Sequence, residues 1–86
     1  MEGLYLPMDL EKVLAENVRG FRKLRGLTQS VLASQSGLHR NYLADIERGE
    51  RNITIASLVR VAVALNVEPH ILLTPGAVKW FRPTKK

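Results

Sequence analysis

The chain has 86 residues, no cysteine and a net charge of +5. That length holds at most one domain with a small core. Without cysteine, disulfides and thiolate metal sites are excluded, which suits a reducing cytoplasm. No apolar stretch is long enough to span a bilayer, and the first eight residues lack the basic-then-apolar order of a signal peptide.

Leu10, Val13, Leu14, Val18, Phe21 and Leu24 recur at three and four residues, so residues 9–25 are expected to form an amphipathic helix. Asp9 is the expected N-cap and Gly26 the stop. Thr28 caps a second helix running to about Gln35, and Gly37 supplies a tight connection. A third helix follows, about 39–48, ended by Gly49. Residues 50–53 are polar and turn-like. Thr54 caps a fourth helix that buries Leu58, Val61, Ala62 and Leu65. Pro69 fits the first turn of a fifth helix, about 69–73, and Thr74-Pro75-Gly76 is expected to stop the helical pattern. The expected fold is all-α: a compact five-helix bundle with its core over about 9–73, an arm at 1–8 and a basic tail at 74–86. Trp80 and Phe81 can pack on the domain, fill a dimer interface or stay loosely ordered.

The positive charge is not evenly spread. Residues 19–60 carry eight basic and three acidic side chains, while the flanks balance. The excess therefore coincides with the two helices hinged at Gly37, as phosphate neutralisation requires. A modest basic excess is also common in small soluble proteins, so charge by itself decides nothing.

The residues Leu27-Thr28-Gln29, Leu32-Ala33, Gly37-Leu38, Arg40, Tyr42-Leu43 and Ile46-Glu47-Arg48-Gly49 carry a specific spacing. Ala33 falls where bulk would push two helices apart, and Leu43 and Ile46 fall on an inward face. This pattern resembles the phage-repressor and Cro-like helix-turn-helix family, often called the XRE family, over roughly residues 10–73. Within it, Arg40-Asn41-Tyr42-Leu43, Ile46-Glu47-Arg48, Arg51-Asn52 and Thr54 are similar to controller proteins of restriction–modification systems. The resemblance implies a lambda-repressor-like domain whose second motif helix enters the DNA major groove.

What the resemblance implies residue by residue follows from that docking. His39, Arg40, Asn41 and Tyr42 in the first turn of the third helix, and Ala44 one turn on, are the expected base contacts. Arg40 can pair with guanine O6 and N7, Asn41 with adenine or a phosphate, the Ala44 methyl with a thymine methyl, and the Tyr42 hydroxyl with sugar or phosphate. Gln29, Arg51 and Asn52 are expected to meet the DNA backbone, with Arg51 alternatively reaching a minor groove. His39 is a poor helix cap, so the third helix starts weakly or is capped by Ser36. Arg22 and Glu47 are expected to form a clamp between the first and third helices. Asp45 has no assigned partner; acceptance from a cytosine amino group, repulsion of wrong sequences and simple exposure all remain open.

The expected partner is double-stranded DNA, bound at a pseudo-palindromic operator by a homodimer that regulates transcription. Ile71, Leu72 and Leu73 of the fifth helix are the expected dimer interface, to which the exposed side of the fourth helix can add; the alternative for the three is to cap the monomer's own core. The alternative function is an antitoxin-type module that binds a protein partner as well as DNA. No nucleophile–base pair, glycine-rich phosphate loop or metal-ligand cluster is present, so neither an enzyme nor a cofactor or metal is expected. His39 and His70 alone cannot make a metal site, and no small-molecule ligand or membrane association is expected.

Overall fold

The structure, a computed structural model, describes residues 9–81. The expected arm at 1–8 and the last residues of the tail, 82–86, lie outside the described residues. Four α-helices run in order: α1 Leu10–Leu24, α2 Gln29–Ser36, α3 Arg40–Glu47 and α4 Ile55–Leu65. A 3-10 helix, Pro69–Leu73, and a short helix, α5 Ala77–Trp80, complete the described chain.

Local chemistry sets the helix starts. The side chains of Asp9, Thr28 and Thr54 accept from the backbone N–H groups of Lys12, Val31 and Ser57, so the three expected caps are all made. The stops are equally specific. At the end of α2, Gly37 takes φ 70°, which lets the Leu38 N–H reach back to the Ala33 carbonyl at 2.9 Å. A side chain at residue 37 would be strained in that left-handed conformation. Asn66 closes α4 in the same way, at φ 62°. These two reversals set the paths into α3 and into the 3-10 helix.

The core is built where the helices cross. Val18 and Phe21 of α1 meet Leu32 of α2, Leu43 and Ile46 of α3, and Val61 and Leu65 of α4 in one fully buried cluster. Each such side chain contributes about 1.5–3 kcal/mol by leaving water. Ala33 is buried in the same cluster, the small residue the close approach of α2 requires.

The C-terminal region differs from expectation. The fifth helix is a tight 3-10 turn, and Thr74-Pro75-Gly76 does not end helical structure, because α5 follows it. Packing explains α5. A Cβ at Gly20 would lie 2.7 Å from Val78 Cγ2, so α1 has no side chain where α5 crosses it. Phe81 meets Phe21 edge-to-face at 6.3 Å. Trp80 stays 83% exposed, so the two aromatic residues part ways. Asn17, buried in α1, donates through Nδ2 to the carbonyls of Leu72 and Thr74, each at 2.9 Å, and ties the 3-10 helix to the bundle.

Candidate nucleic-acid interface

α3 is two-faced. Leu43, Ala44, Ile46 and Glu47 point into the domain, while His39, Arg40, Asn41 and Arg48 are exposed and Tyr42 and Asp45 are half-buried. His39 begins the helix with no side-chain cap bond. Ser36 does not replace it, since its buried hydroxyl finds no partner. The N–H groups of the first turn of α3 are thus left without a side-chain partner on the side of Arg40 and Asn41.

Ala44 is the clear departure on this helix. Only 9% of its surface is open, which leaves little of its methyl for the expected thymine contact. The outward position one turn beyond Asn41 is Asp45, and the next is Arg48. Four- and seven-residue steps from Asn41 reach both, so the helical period alone places them on the outward face.

Glu47 anchors the inner face. It is 3% exposed and accepts from Arg22 twice, from Nε to Oε2 at 2.7 Å and from Nη2 to Oε1 at 3.0 Å. Arg22 also donates to the Leu27 carbonyl at 2.9 Å, and Arg19 donates to the Glu47 carbonyl at 2.7 Å. The expected clamp therefore exists and is larger than expected. Gln29 belongs to it as well, donating from Nε2 to Glu47 Oε1 at 3.0 Å. Its amide is not wholly free for phosphate; one of its two N–H donors remains.

The outer face carries a second network. Asp45 accepts from Arg48 and, at 3.2 Å, from Arg51, so Asp45 is not without partners. Arg48 also pairs with Glu50 at 3.1 Å. The Arg51 guanidinium sits over the Tyr42 ring, 4.9 Å from its centroid. Arg51 and Tyr42, nine residues apart in sequence, are thus one unit. Asn52 is exposed in the same loop.

A family model described as "Helix-turn-helix" matches residues 18–72, well over half of the chain. The chain belongs to the helix-turn-helix family of DNA-binding regulators. The regulator is 47% identical to control protein C.SmaI of Serratia marcescens over 72 residues, 84% of this chain and 86% of that protein. Its structure is similar to that of a hypothetical transcription factor from Neisseria, with TM-score 0.77, 37% identity, and 92% and 93% of the two chains covered. It is also similar to the restriction–modification controller C.AhdI of Aeromonas hydrophila, with TM-score 0.70, 37% identity, and 72% and 94% covered.

In the regulator, the three residues expected at a dimer interface divide. Leu72 is 0% exposed and fills the core, so it cannot meet a partner. Ile71 and Leu73 are half-buried against that core. Exposed apolar side chains include three on α4, Ile55, Val59 and Val63, four residues apart and therefore along one stripe, besides the scattered Leu10, Leu24, Val31 and Trp80. Among the described residues there is no helix long and apolar enough to cross a membrane.

Proposed function

We propose that the protein is a transcriptional regulator that binds a pseudo-palindromic operator as a homodimer and reads base edges with the first turn of α3. The observation that carries this reading is the exposed set His39, Arg40 and Asn41 at the start of a helix whose opposite face is locked by Glu47. A fixed helix with free donors at its N-terminal end suits the major groove. Tyr42, Arg51, Asn52 and the remaining donor of Gln29 hold sugar and phosphate and set register.

One module of this size buries too little surface to pick out a genomic site, and a second copy supplies the rest. The α4 stripe is the proposed contact between copies. Ile55 is 80% exposed and Val63 71%, apolar surface that a two-fold partner would cover with the same stripe. Half-sites then lie about one helical turn, ~34 Å, apart. Likeness to C.SmaI and C.AhdI over most of each chain supports a role as a restriction–modification controller. Selection from a random double-stranded DNA pool at fixed salt tests the reading. Enrichment of a pseudo-palindrome with constant half-site spacing is expected; enrichment of single half-sites would leave the base-reading role and remove the dimer.

A further inference from the structure

We propose that Asp45 is a positioning residue for DNA binding, acting through Arg51 and not through contact with a base. This rests on reading Arg51 as a DNA contact. The geometry is specific: one carboxylate oxygen of Asp45 accepts from Arg48 and the other from Arg51 at 3.2 Å. With both oxygens engaged, Asp45 is turned toward arginines and not toward a cytosine amino group. On the other side of Arg51 stands the Tyr42 ring, with the guanidinium carbon 4.9 Å from its centroid. A carboxylate and an aromatic face together fix the plane and place of one guanidinium.

The arrangement leaves Arg51 usable. Its side chain is about half exposed, and a guanidinium has five N–H donors, of which one bond goes to Asp45. The remaining donors are presented from a fixed position beside Tyr42, which is itself at the first turn of α3. A long side chain that must be ordered on binding weakens affinity by about two- to twelve-fold relative to one already ordered. Against this stands plain repulsion: a carboxylate near phosphate weakens binding to any DNA. The two effects have opposite signs on removal of the charge, so they can be separated.

The test is a cycle of Asp45→Asn and Arg51→Ala, read as affinity for a mixed-sequence duplex at low fixed salt, with Asp45→Ala repeated in case the asparagine keeps a bond to arginine. Arg51→Ala alone should weaken binding. Asp45→Asn should weaken it about two- to twelve-fold when Arg51 is present, and should leave it equal or tighter when Arg51 is absent. Tightening by the same factor in both backgrounds would show repulsion alone, and equal weakening in both would show a general structural role; either overturns the inference. An Arg51→Ala variant that binds as well as the parent would remove the Arg51 contact itself, and the inference with it.

Discussion

Arg22 and Glu47, 25 residues apart in sequence, meet through two parallel N–H···O bonds at 2.7 and 3.0 Å with the carboxylate 3% exposed. Two bonds fix the relative rotation of α1 and α3 as well as their distance. Gln29 adds the start of α2 to the same carboxylate. One buried anion thus holds three helices together and fixes α3 relative to α1 and α2.

Removing one partner of such a pair leaves the other buried and uncompensated. Arg22→Ala should lower stability by about 3–5 kcal/mol, a large share of what a domain this size possesses. Glu47→Gln should cost less, because the amide oxygen still accepts from Arg22. Urea denaturation of the three proteins checks the order; equal stabilities would mean the pair is solvated and contributes little.

Asn17→Ala should cost about 1–3 kcal/mol, since the Leu72 and Thr74 carbonyls lose their donor. The loss should be local first. Hydrogen exchange should speed up in residues 69–74 before it does in α1 to α4. Uniform acceleration along the chain would place Asn17 in the global core instead of at the tether.

Val63→Asp should separate the copies without unfolding the domain. Val63 is 71% exposed in the single chain, so the charge should change monomer stability by less than about 0.5 kcal/mol. At the proposed contact it meets its own symmetry mate or an apolar neighbour. Sedimentation velocity should show the dimer dissociation constant raised by about ten-fold or more. An unchanged constant would move the interface off α4.

Much of the fold was legible because local signals agree with the global arrangement. Asp9, Thr28 and Thr54 announce helix starts, and Gly37 announces the turn, through backbone chemistry that needs no tertiary context. The Arg22–Glu47 clamp was legible only through family resemblance, because nothing local links two charges so far apart. Burial at Ala44 and Leu72 was not legible in the same way: motif position points Ala44 outward and an apolar run leaves Leu72 open to either a partner or the core, whereas burial is decided by which face of a helix meets its neighbours. On α4 the inward face of Leu58, Val61, Ala62 and Leu65 was legible from its spacing, whereas what covers the outward stripe of Ile55, Val59 and Val63 depends on a second molecule and not on local pattern. The α5 helix depends on the space that Gly20 leaves for Val78, a contact between segments 58 residues apart.

Base readout by Arg40 is tested by the affinity of wild type and Arg40→Ala for the selected operator and for a random duplex, at one salt concentration. Arg40 is exposed at the first position of α3. Its loss should cost about 1–3 kcal/mol on the operator, with relaxed preference at one base pair in each half-site, and distinctly less on random DNA. Equal losses on both duplexes would contradict the account and make Arg40 a phosphate contact.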